Sequence, residues 1–289
     1  KHQNTKIQEN IEPYLYISPT IILFIFVLAI PLINLFRYSL GDSNIIQGYT
    51  GWNNFSNFEY LLDPKFLHSF WVTIKYVFGG VTGIAIFGTI VSLALNKPMP
   101  GRGLFRSLAI IPWVVPHAFA ASMWSWVVNA QFGFINQILL KFGFIESNIS
   151  FLNVDTALIT VIVVRIWQGT PFMIISLLAA LQTIPQDIVE ASKIDGVNSV
   201  QQFAYITFPS IRKVFLTTTL IITAWTMQIF DTVYIMTAGG PIRSTQLLAI
   251  EVYIKAFQNN DLGTASAISL IILLIVTLLS VINHKGAKS

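Results

Sequence analysis

Apolar positions in this chain fall in long unbroken windows instead of the narrow stripes of a soluble helix bundle. Stretches free of Lys, Arg, Asp and Glu cover 13–36, 76–96, 107–140, 166–186, 214–230 and 262–284. A bilayer-spanning helix takes roughly 20 predominantly apolar residues, so every window except the fifth meets that length unaided. The fourth continues back past Arg165, and the fifth forward past Asp231. The pattern predicts an all-α membrane protein with six transmembrane helices, at about 14–37, 71–96, 107–130, 157–182, 214–238 and 262–284. Nothing resembling a linker divides it, so residues 1–289 read as a single transmembrane domain.

Composition agrees. The chain is 54% hydrophobic and only 10% charged, with 22 Phe and 7 Trp, more apolar side chains than a soluble core of this length uses. The first window follows Glu9 and Glu12 and lacks a small-residue cleavage pattern, which favours an anchor over a signal peptide. The chain starts at Lys1 instead of Met, so a longer natural N-terminus is expected. Without Cys there is no disulfide framework or thiolate metal site. Basic residues set orientation. Both tails and the second-to-third and fourth-to-fifth connections hold Lys1, Lys6, Lys97, Arg102, Arg106, Lys193, Arg212, Lys213, Lys285 and Lys288, against Lys65, Lys141, Arg243 and Lys255 in the other three connections. Both termini are therefore expected in the cytoplasm. The same scatter of basic residues argues against nucleic acid as a partner.

Polar and proline positions interrupt the pattern informatively. The outer segment 41–70, aromatic and amide rich, is expected to form an ordered cap. Pro112 and Pro116 in the third span and Pro171 in the fourth remove backbone donors, and freed carbonyls in lipid need a neighbour or a water-lined cavity. Broken helices would then mark a pathway, although packing kinks are an equal reading. A cytoplasmic island, 183–209, carries EASKIDGVNSVQQFAYITFP. Thr183 is expected to cap a helix with Pro185 in its first turn and Asp187 near its positive end, running to about Asp195 and stopped by a left-handed Gly196. Ser199 and Gln202 read as a capping box for a second short helix closing before Pro209. With one Lys beside two acids, the island is too weakly basic for a membrane-surface helix. Two angled helices on the membrane face suit another protein's groove.

Glu190-Ala191-Ser192, three residues, Gly196, nine residues, then Ile206-Thr207-Phe208-Pro209 is similar to the EAA signature of permease subunits of binding-protein-dependent ABC importers. Ser192 stands where that family usually has Ala, and Phe208 where it usually has Leu. The resemblance covers most of the chain: GWNNFSNFEYLLDPKF, IPWVVP, FGFINQILLKFGF and YIMTAGGPIRSTQLLAIEVYIKAFQNNDLGTASA resemble the sugar branch with the maltose and glycerol-phosphate permeases. It implies a type I importer permease fold in a bacterial inner membrane. The implied partners are a second homologous permease, two cytoplasmic ATPases and an extracytoplasmic solute-binding protein. ATP and Mg would sit on those ATPases; this chain has no phosphate-binding loop, is not expected to be an enzyme and is expected to bind no cofactor or metal. The resemblance assigns ATPase coupling to Glu190, Ala191, Ser192, Asp195 and Gly196.

Polar groups inside spans mark the candidate path. Trp113 and His117 share one helical face, as do Arg165, Gln168 and Phe172, and Trp225, Gln228 and Asp231. Charges at a span centre cost roughly 2.5 to 3.5 kcal/mol each, so Arg165 and Asp231 are expected to face protein, either paired with each other or lining a site. In the maltose-type permease, positions matching Trp113, His117, Arg165, Gln168, Gly169, Phe172, Trp225, Thr226 and Ile229 line the sugar site. Arg165 stands where that permease has an amide and His117 where it has a hydroxyl. An acidic, uronate-containing oligosaccharide is one reading of these donors; neutralisation of Arg165 by Asp231 is the other.

Rival classes fit less well. An ion-coupled secondary transporter of small polar solutes, the main alternative, would have only Asp231 as its intramembrane acid. A channel would need a repeated filter ring, and an enzyme would need spaced His and acidic groups that are absent.

Overall fold

The computed structural model describes Tyr14 and residues 16–288. Lys1, Lys6, Glu9 and Glu12, on which part of the orientation and anchor readings rests, lie outside the described residues. The chain divides into two compact units, residues 1–63 with 252–271 and residues 64–251 with 272–289.

In the first unit, α1 (Tyr16–Ser39) is a 24-residue apolar helix. Its large side chains, Phe24 and Phe26 among them, stay exposed, as a helix meant for lipid requires. One turn of it, Ile25–Ala29, is widened to a π-helix just ahead of Pro31, with the Ile30 N–H donating to the Ile25 carbonyl. The wider turn absorbs the donor that proline lacks. The expected cap is ordered. It begins with a hairpin of β1 (Gly41–Asn44) and β2 (Gly48–Trp52), the one departure from an all-α chain among the described residues. Asn44 Oδ1 accepts from Ile46 N and Gln47 N to form the turn. Asn57, in the short helix α2 (Ser56–Glu59), donates to the carbonyls of Tyr38, Ser39 and Gly41. Lys255 lies over the Tyr60 ring at 3.7 Å.

The second unit is built on α3 (Pro64–Asn96) packed against α7 (Ala157–Leu181). Small residues let the two backbones approach: a Cβ on Gly80 would meet Arg165 Cγ at 3.2 Å, and one on Gly88 would meet Met173 Cγ at 2.5 Å. Ile84, Met173, Leu177, Leu181, Ile211 and Ile222 form the core beside this seam. Between them run α4 (Arg102–Val114), α5 (His117–Val127) and α6 (Phe134–Lys141). The island supplies α8 (Gln186–Ile194), followed by α9 (Ser199–Met227) and α10 (Asp231–Thr237). The chain ends with α11 (Leu248–Tyr253) and α12 (Leu262–Lys288).

Six spans are reached only by joining halves. Four helices, α1, α3, α7 and α12, are long and apolar enough by themselves; α4 with α5, and α9 with α10, are pairs bent by 99° and 44°. The first break is the one proline announced: Val115 is extended at φ −72°, ψ 122°, and Pro116 caps α5. Pro112 and Pro171 break nothing and stay inside α4 and α7. Pro171 is held in line because α7 packs on α3, α4 and α9 at once. The second break, at 228–230, has no proline.

Candidate functional site

Both broken pairs deliver their ends to one cavity of about 410 Å³ in the second unit. Trp113 comes from the last turn of α4 and His117 from the first residue of α5. Arg165, Gln168, Gly169 and Phe172 come from one face of α7, while Ile222 and Trp225 come from the end of α9. Gln228, Ile229 and Phe230 are the break itself, and Asp231 opens α10. Ten of the eleven residues singled out in the sequence thus line it. The eleventh, Thr226, is wholly buried behind the wall. Ile222 and Phe230 were missed; both are apolar and nothing in their sequence context distinguishes them from lipid-facing residues.

One wall is aromatic. Phe172 stands between Trp113 and Trp225, its centroid 5.9 Å from the first and 4.8 Å from the second. Both indoles remain about half exposed, at 49% and 44%, so their faces are open to a ligand. Such a wall suits the apolar faces of sugar rings.

Hydrogen-bond donors sit next to it. Arg165 is 3% exposed, and its Nε donates to Thr226 Oγ1 at 3.0 Å, while that hydroxyl donates onward to the Ile222 carbonyl at 2.6 Å. Gln168 is 2% exposed; its Oε1 accepts from Thr232 Oγ1 at 3.2 Å, and its Nε2 is buried without a partner. An ion pair forms between Arg243 and Glu251, far along the chain, whereas Arg165 and Asp231 are not paired. The Tyr76 hydroxyl is buried and unpartnered.

The island is organised differently. Gly196 adopts φ +74°, as expected for the residue that stops α8, with Val197 N donating to the Ser192 carbonyl at 3.1 Å. Other details shift by a residue or a turn. Thr183 does not cap α8; its hydroxyl turns back to the Ala180 carbonyl, and α8 begins at Gln186, after Pro185 instead of around it. The capping box is Asn198 with Gln201, one residue earlier than Ser199 with Gln202, because Asn198 has the extended N-cap backbone while Ser199 already lies in the helix. The second helix does not close before Pro209 either. A π turn at Phe203–Thr207 accommodates the proline and α9 runs on to Met227. Glu190, Ala191, Asp195 and Gly196 are exposed. Ser192 is not: it is 5% exposed and its hydroxyl bonds the Val189 carbonyl.

Residues 84–284 match the family model described as binding-protein-dependent transport system inner membrane component. The chain belongs to that family. A probable ABC transporter permease protein of Brucella suis is 33% identical over 93% of this chain and 94% of its own. The trehalose/maltose transport system permease protein of Thermococcus litoralis is 31% identical over 95% and 93%. Among solved structures, the chain superposes with a TM-score of 0.79 on a bacterial ABC transporter involved in the import of the acidic polysaccharide alginate, at 18% identity and covering 100% and 99% of the two chains. That likeness establishes the expected type I importer permease fold. The protein is therefore a multi-pass inner membrane transport subunit, and its relatives are permeases, not catalysts.

Proposed function

We propose that this permease forms one half of the translocation pathway of an ABC importer carrying oligosaccharides into the cytoplasm. The observation that carries the reading is the cavity itself: an aromatic wall of Trp113, Phe172 and Trp225 beside the donors Arg165 and Gln168, at the meeting point of two broken spans. In lipid, irregular backbone is tolerated where it lines a cavity, and discontinuous helices can change their bend without melting. Relatives named for trehalose/maltose and for sulfoquinovosyl glycerol, the second 29% identical over 89% of this chain, support a saccharide substrate.

In this reading the partners are a second homologous permease for the other half, two cytoplasmic ATPases holding ATP and Mg, and a solute-binding protein outside. Both termini and the island face the cytoplasm in this reading. Glu190, Ala191, Asp195 and Gly196 present the coupling surface, with apolar neighbours Ile194 and Val200 exposed at 87% and 76% around them. Buried Ser192 positions α8 instead of touching the ATPase. ATPase closure pushes on α8, and α9, continuous from the island to the cavity edge at Met227, carries the displacement to the break at 228–230.

The test is a tagged pull-down from native membranes in mild detergent, comparing wild type with Gly196→Trp. Wild type should retain an ATPase and a second permease, and the variant should lose the ATPase while keeping the permease. A wild-type chain that comes down alone overturns the importer reading, and a variant that keeps its ATPase overturns the coupling surface.

A further inference from the structure

Resting on that reading, we infer that the substrate is an acidic saccharide, and that one of its carboxylates binds between the terminal Nη groups of Arg165 and the Nε2 of Gln168. A guanidinium 3% exposed inside a membrane protein ordinarily meets a carboxylate, and here none lies within ion-pair distance. Asp231, the acid that lines the same cavity, makes no ion pair with Arg165. A guanidinium hydrogen-bonded through its Nε alone and a buried amide N–H without a partner therefore stand side by side in one wall.

The two donors are also aimed. Arg165 and Gln168 lie three residues apart on α7, on one face. Thr226 takes the Nε of Arg165, leaving the Nη fork for a ligand, and Thr232 takes the Oε1 of Gln168, which leaves the Nε2 as a buried donor without a partner. A planar, two-oxygen acceptor matches this fork and amide; a neutral hydroxyl, with one oxygen, does not. The anchoring threonines come from the two sides of the helix break, Thr226 before it and Thr232 after it. A carboxylate bound here pulls on donors tied to both halves of the bent span, so ligand occupancy and the angle at 228–230 are linked.

The test uses the purified transporter with its partner permease and ATPases in nanodiscs, without the solute-binding protein, so that selectivity belongs to the membrane site. Uronic di- to tetrasaccharides and the methyl esters of the same chains are titrated, read by tryptophan fluorescence, since Trp113 and Trp225 line the cavity. Wild type should bind the acids about 10-fold or more tighter than the esters, the scale of a charge-assisted pair. Arg165→Gln and Gln168→Leu should each erase most of that preference, and Arg165→Lys should restore part of it. Equal affinity for acid and ester, a preference unchanged in Arg165→Gln, or binding of neutral maltodextrins alone would overturn the inference and leave the importer reading intact. Binding of no saccharide in a complex that retains its ATPases would overturn both the acidic and the saccharide assignment. Arg165→Gln and Gln168→Leu are checked by thermal melting, so a folding defect in one leaves the other to decide.

Discussion

The cavity and the cytoplasmic island are both polar interruptions of an apolar chain, yet they are held together in opposite ways. In the island nearly every hydrogen bond is short range: Ser192 to Val189, Val197 to Ser192, Asn198 with Gln201. Around the cavity the decisive bonds join distant elements, Arg165 to Thr226 across 61 residues and Gln168 to Thr232 across 64. The island is thus a locally determined shape offered to a partner, while the cavity exists only when α7, α9 and α10 are assembled. Damage should spread accordingly, globally from the cavity walls and locally from the island.

The largest effect is expected from Gly88→Leu. Its new side chain would push Met173 out of the α3 and α7 seam, an overpacking cost of about 3 kcal/mol, visible as a lowered melting temperature in detergent. An unchanged melt would mean that the seam yields, and with it the idea of a rigid wall. Thr226→Val comes next. It leaves the Arg165 Nε without its acceptor in a buried site, costing about 2 kcal/mol in the same melt, and Thr226→Ser should recover most of that loss. Gly196→Ala has open space around its Cβ but a left-handed backbone, so about 1 to 2 kcal/mol of strain is expected in the island alone. Hydrogen exchange should speed up over 190–202 while the global melt stays at the wild-type value; a lowered melt would show that the island is coupled into the core. Asn198→Ala is the smallest. Loss of the cap costs about 1 kcal/mol and should raise exchange only at Val200 and Gln201, whose amides it holds.

Legibility followed the same division. Long apolar windows predict spans because a lipid-facing helix needs no partner to choose its length, but they miss helix starts: α3 begins at Pro64 and α7 at Ala157, both ahead of their windows. The glycine that ends α8 was readable since only the backbone at Gly196 decides it. Errors in the island were of one residue or one turn: Asn198 and Ser199 compete for the same cap, and Pro209 reads as a stop unless a π turn is foreseen. Around the cavity, the proline break at Pro116 was visible but the equally important one at 228–230 was not, because no proline or glycine marks it. Pro171 misled in the other direction; neighbours on several sides hold α7 straight.

Residue types alone determined that this is a membrane helix protein with intramembrane Arg165 and Asp231, and the island motif pointed to its family. Those are consequences of transfer energies and local backbone preferences, which act within one segment. Only the tertiary structure decided that Arg165 and Asp231 stay apart, that Thr226 withdraws from the cavity to orient a guanidinium, and that Ser192 turns inward. These depend on which helix faces lie against each other, and in a span that is apolar all round the hydrophobic pattern does not say which face that is.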